Sequence, residues 1–371
     1  MSPRAIRIAL IAALILAFYY SFATLCRLGD YVRQTNPLSG QKHVEQAFTP
    51  TPKELACLYG TPLPDERGIA PATVAPWPAS HQPMPNIVHF IWLQKLPLGH
   101  AGQGDFDFLS YLAVRSAMVS LKPEAIFFHY GYTSKDPALL DGVDADPLID
   151  NNHWIRRLKP HIRLVRHSGP LDNSLEHSAH MADTMRLEIL QEHGGIYLDM
   201  DAFALRPFAD VLESPQPHDV VLGHEGGNRL GLCNAIIAAR PNSTFVRRWL
   251  ATYDGADLNR EWNYHSVLLP KELAGRHPDE VCELPPDAFF WPTWTWGHVR
   301  WMHEPISRAE ARFWEARIDK TGGSLLDNQL AYHAWSQMAR DRYLGRLTPQ
   351  VVRSEDTRFN LLMRRFMEAD L

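Results

Sequence analysis

The sequence predicts an α/β fold in which a mostly parallel sheet is flanked by helices. Short apolar runs of strand length, at residues 87–93, 125–130 and 162–165, alternate with segments whose apolar residues follow a helical spacing. The first of these runs is apolar almost without a break rather than at every second position, as expected of a strand covered on both faces. Residues 181–201, MADTMRLEILQEHGGIYLDMD, read as a helix, a glycine break and a short strand that closes on two acids.

Composition sets the outer limits. The 371 residues allow one large domain or two modest ones. A net charge of −5 gives no reason to expect a nucleic-acid partner. Cys26, Cys57, Cys233 and Cys282 form no CxxC pair, which argues against a structural zinc site. Cys233 and Cys282 both fall in the presumed folded part; a bond between them in an oxidising lumen and a pair of buried free thiols are both open.

In chain order, residues 1–7 carry Arg4 and Arg7, and residues 8–25 are uncharged and largely apolar. This run nears the ~20 residues of a membrane-spanning helix, and the preceding bases favour a cytoplasmic N-terminus. A single-pass anchor is expected, in preference to a cleaved leader ending near Ser21-Phe22-Ala23, because the apolar run exceeds the ~7–15 residues usual in a leader. Residues 26–83 are polar and rich in proline and read as a stem. The folded domain is expected to run from residue 84 to residue 371.

That domain opens on Ile87 to Leu93, the first strand. Phe106 to Lys122 has helical spacing, Ala125 to Tyr130 is the next strand, and Trp154 to Leu158 and Ile162 to Val165 suggest a short helix and a third strand. In the following helix Met185 and Ile189 share one side with Ala182, and Leu187 and Leu190 flank it. Gly194-Gly195 stops the helix, because glycine accepts the left-handed backbone of a C-terminal cap. Val220 to Gly223 and Asn234 to Ala239 continue the sheet. Asn242-Ser243-Thr244 is an N-glycosylation sequon. The aromatic stretch Phe289 to Trp296 suits core packing of a C-terminal lobe, with a sugar-stacking platform as the other reading. His177 and His180 are read as solvated or capping residues, and the basic stretch beyond Arg340 as closing the domain.

Asp199 and Asp201, two apart on an extended backbone, point to one side and would repel each other unpaired. The arrangement asks for a cation, and all-oxygen ligands suit Mn²⁺ or Mg²⁺. Acids just past a strand end also lie where open α/β sheets place their ligands.

Asp183-x-x-Arg186, then Gly194-Gly195-Ile196-Tyr197-Leu198-Asp199-Met200-Asp201, resembles the core of the DXD sugar-transferase family, which includes fungal α-1,6-mannosyltransferase, inositol phosphorylceramide mannosyltransferases and α-1,4-galactosyltransferase. Two flanking segments carry the likeness further, Pro85-Asn86-Ile87-Val88-His89-Phe90-Ile91-Trp92 and Ala331-Tyr332-His333-Ala334-Trp335. The resemblance implies a GT-A fold, a divalent metal held by Asp199, Asp201 and His333, and a nucleotide-sugar donor met by Asp183, Arg186, Gly195, Tyr197 and Trp92. For His89 and Trp92 a packed strand is an equal reading. It further implies transfer of a hexose, from GDP-mannose or UDP-galactose, to a glycan or glycolipid acceptor with retained configuration, by a Golgi membrane enzyme. Asp199 and Asp201 are the acids expected to serve the chemistry, through the metal.

Two other classes fit the residues less well. A glycoside hydrolase would place its carboxyls on opposite sides of the scissile bond, whereas these share one side. A non-catalytic sugar- or nucleotide-binding membrane protein would not need the full set Asp183, Arg186, Asp199, Asp201 and His333. Against the first of these donor contacts stands an ordinary alternative, an exposed Asp183–Arg186 pair within one helix.

Overall fold

The computed structural model describes residues 10–22, 47–60, 84–96, 106–134, 147–167, 178–213, 218–254 and 263–371, with positions 4, 7, 24, 44 and 256 besides. The chain divides into two compact units, residues 1–46 and 47–371. In the first, residues 10–22 are helical, with Leu10, Ile11, Leu14, Ile15, Leu16 and Phe18 exposed. Among the described residues no helix is long and apolar enough to cross a membrane, so the expected span over residues 8–25 is not found there. His177 and most of the expected stem lie outside the described residues.

The second unit is built on a seven-stranded sheet in the order β3-β2-β1-β4-β7-β6-β8. Its strands are β1 (Ile87–Leu96), β2 (Ala125–Ser134), β3 (Arg163–Arg166), β4 (Gly195–Leu198), β6 (Val220–Glu225), β7 (Gly231–Ala239) and β8 (Val281–Leu284). Strands β3, β2, β1 and β4 run parallel; β7 is antiparallel to both β4 and β6, and β8 runs parallel to β6. The expected α/β architecture, a mostly parallel sheet flanked by helices, is therefore what the chain forms. A second sheet of two antiparallel strands joins β5 (Ala202–Ala204) to β9 (Ala331–His333).

Helices of eight or more residues in this unit are α1 (Pro52–Tyr59), α2 (Phe108–Leu121), α3 (Ser178–His193), α4 (Thr244–Ala251), α5 (Leu269–Arg276), α6 (Trp296–His303) and α7 (Arg308–Thr321). Their ends follow local chemistry. The Asp107 carboxylate accepts from the Ser110 amide at the start of α2, and the Ser243 and Ser307 hydroxyls cap α4 and α7 in the same way. At the end of α3, Gly194 sits at φ +64° while its amide donates to the Leu190 carbonyl.

The sheet separates two cores. Val88, Phe90 and Trp92 of β1, with Ile196 and Leu198 of β4, pack with α2 and the C-terminal helices. Ile91 and Tyr197, between them in the alternation, pack with Met185, Leu187, Ile189 and Leu190 of α3 and with α4 and α5. Both faces of the central strands are thus covered, which is why their sequence shows no polar alternation. Strand order reverses between β1 and β4, so the crevice beyond their carboxyl ends is the switch point where open α/β sheets take ligands.

Two expectations need correction. The compact unit begins at Ala47 rather than residue 84, because residues 47–60 fold onto it. Thr51 and Glu54 form a reciprocal capping box at the head of α1, Glu54 is buried against Arg229 at 2.6 Å, and Phe48 packs edge-on against Trp291. Among the described residues a disulfide joins Cys57 to Cys282, with Cα atoms 5.6 Å apart, and Cys233 is a buried free thiol. Cys233 lies on β7 and Cys282 on the edge strand β8, with β6 between them; α1, which the stem reading left out of the fold, brings Cys57 to β8.

Candidate active site

Asp199 and Asp201 follow β4 directly, at the switch point. The Asp199 amide donates to the Ala235 carbonyl at 2.9 Å, continuing the β4–β7 ladder one residue past the strand and fixing the direction of its side chain. The chain then turns, with the Ala202 amide on the Asp199 carbonyl, and runs into β5. Strand β5 recruits β9 from 130 residues away: Ala202 stands opposite His333, and the Ala334 amide donates to the Asp201 carbonyl at 2.9 Å. The small second sheet is therefore what carries His333 to the two acids.

His333 Nε2 lies 3.1 Å from Asp201 Oδ1 and 4.0 Å from Asp199 Oδ2. The other oxygen of Asp201 accepts from the Ser336 amide at 2.8 Å. His333 is held by its neighbours: Trp335 crosses its ring at 4.3 Å between centroids and donates its own N–H to the Pro292 carbonyl. Trp335 adopts φ +55°, a left-handed conformation rare for an aromatic residue, which sets the turn from β9 to Ser336.

Behind Asp199 stands a buried charge network. Arg186, 5% exposed, reaches Asp199 Oδ1 at 3.1 Å and Asp183 Oδ1 at 3.2 Å and donates to the Asn234 carbonyl at 2.8 Å. The Asn234 amide donates to Asp183 at 2.7 Å, and the Tyr197 hydroxyl donates to Asp199 at 2.5 Å. The guanidinium lies 4.5 Å above the Tyr197 ring. Asp183 and Arg186 are thus no exposed helical pair; the helix face that bears them is turned onto the start of β7.

Electrostatics follow this geometry. Burial pushes the Asp199 carboxyl up; the facing Arg186 opposes that, and the Asp201 charge adds to it. Burial acts the same way on Asp201, but His333 and the Ser336 amide outweigh it and hold the group well below the usual carboxylate range. His333 is drawn down by burial and up by Asp201, with a net rise that favours the imidazolium. An imidazolium wedged between two carboxylates marks a position where positive charge is favourable. Ligand atoms of Asp199, Asp201 and His333 all lie within 4.8 Å of one another, and both acids keep part of their surface open. Two hard oxygens and one imidazole, with room for further ligands, fit Mn²⁺ or Mg²⁺.

Gly195 and Trp92 are placed differently from the expected donor contacts. Gly195 has φ +96°, and a Cβ there would lie 2.6 Å from the Ile87 carbonyl oxygen, so its role is the close approach of β4 to β1. Trp92 follows Val88 and Phe90 into the core and packs against Phe106 and Phe128, 6% exposed. His89 is buried too, at the head of a chain in which its Nε2 meets the Gly194 carbonyl at 3.0 Å and its Nδ1 meets His129, which meets His167. The aromatic stretch divides: Phe289, Phe290 and Trp291 are core, while Trp294 is half-buried and Trp296 is 48% exposed.

One residue beside the site carried no sequence signal recognised above. Glu225 ends β6, and its carboxylate lies within electrostatic reach of Cys233, Trp294 and His333. An acid before a glycine pair, Glu225-Gly226-Gly227, at a strand's carboxyl end was the available cue.

The sequence profile described as the glycosyltransferase sugar-binding region containing the DXD motif matches residues 114–219. Glucan organizing enzyme 1 of Cryptococcus neoformans var. grubii is 36% identical over 296 residues, which cover 76% of this chain and 71% of that protein. O-glycosyltransferase braB of Annulohypoxylon truncatum is 26% identical over 225 residues, half of each chain. Among solved structures, mouse xyloside xylosyltransferase 1 in its apo form matches 68% of this chain and 99% of its own at 12% identity, with a TM-score of 0.37, too low to carry a conclusion. With Asp199-Met200-Asp201 inside the matched region and a relative of this identity and coverage, the chain belongs to the DXD-containing sugar-binding glycosyltransferase family and is a glycosyltransferase of the nucleotide-sugar class.

Proposed function

We propose that the protein is a metal-dependent, retaining hexosyltransferase that moves a sugar from GDP-mannose or UDP-galactose to a glycan or glycolipid acceptor. The observation that carries this is the convergence of Asp199, Asp201 and His333 at the switch point, backed by the Arg186 network. A divalent ion bound there would supply neutralisation of the departing diphosphate. The chain's own residues do the rest. Asp201 is fixed by the Ser336 amide, and Asp199 is aimed by Tyr197 and Arg186. Asp183 keeps one oxygen on Asn234, and its helix position beside Arg186 suits contact with donor sugar hydroxyls. Asp199 and Asp201 share one side of the site, whereas a hydrolase flanks the scissile bond, which favours transfer guided by the leaving phosphate.

The 36% identical relative is named for organising glucan, which supports a polysaccharide among the glycan acceptors. The exposed apolar helix over residues 10–22 and the bases before it support a membrane anchor, with the catalytic unit in the Golgi lumen. The Cys57–Cys282 bond suits such an oxidising compartment. The test is hydrolysis or transfer from each nucleotide sugar by wild type and by Asp201→Ala, with and without chelator. Loss of turnover in both the variant and the chelated enzyme, restored to the latter by Mn²⁺, is expected. Full activity after exhaustive chelation would sink the metal-dependent reading.

A further inference from the structure

Three separate parts of the fold meet at Glu225. Strand β6 runs parallel to β4, so its last residue reaches the same sheet edge as the DXD segment. Across the β6–β7 pair, Glu225 stands opposite Gly231, which leaves its side chain no bulky neighbour there. The carboxylate lies within electrostatic reach of Cys233, the half-buried Trp294 and His333. Its own side chain is also only half-buried, as are those of Asp199 and Asp201, so these groups share an opening to solvent.

Both walls around Glu225 are braced. The turn that follows it, with Gly226 at φ +77° and Arg229 at φ +57°, is pinned by the Arg229–Glu54 ion pair at 2.6 Å and by Arg229 donating to the Thr49 carbonyl. The loop that carries Trp294 is held by Phe48 against Trp291, by the Thr293 amide donating to His298 Nδ1, and by Trp335 donating to the Pro292 carbonyl. Residues 48–57 thus tie the two walls to one strap, itself closed by the Cys57–Cys282 bond. A carboxylate on rigid supports at the edge that bears the reacting centre is a preorganised hydrogen-bond acceptor.

We propose that Glu225, at the β6 end of the edge that bears the DXD segment, is the acceptor-binding carboxylate of this enzyme: it receives the hydrogen bond of the sugar hydroxyl that attacks the donor. The inference rests on the transfer reaction proposed above. In that reaction the acceptor oxygen forms its bond to the donor's anomeric carbon as the bond from that carbon to the diphosphate oxygen breaks. The hydroxyl proton leaves on the diphosphate, and Glu225 aligns the hydroxyl without keeping its proton. Water in the acceptor's place would meet the same carboxylate.

The test uses the full chain with Mn²⁺ and whichever of UDP-galactose and GDP-mannose the wild type hydrolyses. Glu225→Ala and Glu225→Gln are compared with wild type for hydrolysis, for calorimetric affinity toward the matching nucleoside diphosphate, and for thermal midpoint. Glu225→Ala is expected to hydrolyse roughly 10- to 100-fold more slowly, the effect of losing one charged hydrogen bond, with diphosphate affinity changed by less than about twofold. Glu225→Gln keeps the shape and a neutral acceptor oxygen, and should lose several-fold; it decides the matter if the alanine variant does not fold. Hydrolysis by both variants at the wild-type rate would overturn the proposal, as would a matching loss of diphosphate affinity, which would place Glu225 on the donor side. A wild type that binds neither UDP nor GDP with Mn²⁺ would defeat the transfer reading, and this inference with it.

Discussion

Arg186 gives the most demanding test of the site's architecture. Its side chain is 6% exposed, and it is the shared cation of Asp183, 10% exposed, and Asp199, 26% exposed. Arg186→Met keeps most of the volume and removes the charge, leaving two largely buried carboxylates facing each other across the lost guanidinium. Removing one partner of a buried ion pair costs about 3–5 kcal/mol, and the partial exposure of Asp199 argues for the lower end. At roughly 2–4 °C per kcal/mol, a cost near 3 kcal/mol lowers the thermal midpoint by about 6–12 °C. The assay is thermal unfolding followed by circular dichroism, with chelator present. A thermodynamic cycle sharpens it: Asp183→Asn added to Arg186→Met removes one stranded charge and should return at least ~1 kcal/mol of the loss. A single variant that melts within about 2 °C of wild type would refute the claim that Arg186 is the counter-ion on which Asp183 and Asp199 depend.

Other consequences are as specific. Cys57→Ser opens a link between residues 225 apart in sequence and frees the strap, and should cost about 2–4 kcal/mol in unfolding experiments; Cys233→Ser should leave the disulfide content unchanged by thiol counting. Gly195→Ala forces a Cβ to 2.6 Å from the Ile87 carbonyl at φ +96° and should lower the yield of folded protein, with a midpoint reduced by several degrees. His89 is held neutral by burial, its pKa pulled down to about 4. Because the folded value lies below the unfolded ~6.5, its share of stability is complete above ~6.5 and is lost as the pH falls from there toward about 4, by at most about 3 kcal/mol. His89→Gln should flatten the midpoint-versus-pH curve over that interval; an unchanged slope would show that His89 does not titrate in this way.

How much of this was legible in the sequence differs from element to element. Strand β1 and helices α2 and α3 showed because their apolar spacing is local and their ends carry their own caps, Asp107 and Gly194. Asp199 and Asp201 showed because two acids at a strand end form a local pattern with one physical reading. His333 showed only through family resemblance; the reason it reaches the acids is the β5–β9 pairing of two three-residue strands, too short to leave a periodic signal. The Cys57–Cys282 bond and the burial of Glu54 were illegible for a related reason. A proline-rich composition described residues 26–83 on average and hid one short amphipathic helix, α1, whose partners Arg229, His224 and Cys282 come from distant strands and turns. Trp92 carried two readings, a packed strand and a donor contact, and the two-residue alternation of β1 sends it into the core with Phe90.

The central claim is that Asp199, Asp201 and His333 form a metal seat through which a nucleotide diphosphate is held. Calorimetric titration of GDP and of UDP into the full chain, with Mn²⁺ and with chelator, and again into Asp201→Asn, tests it most directly. The account predicts metal-dependent binding of one nucleotide in preference to the other, lost in the variant while its fold persists. Equal binding in chelator, or undiminished binding by Asp201→Asn with Mn²⁺, would contradict it.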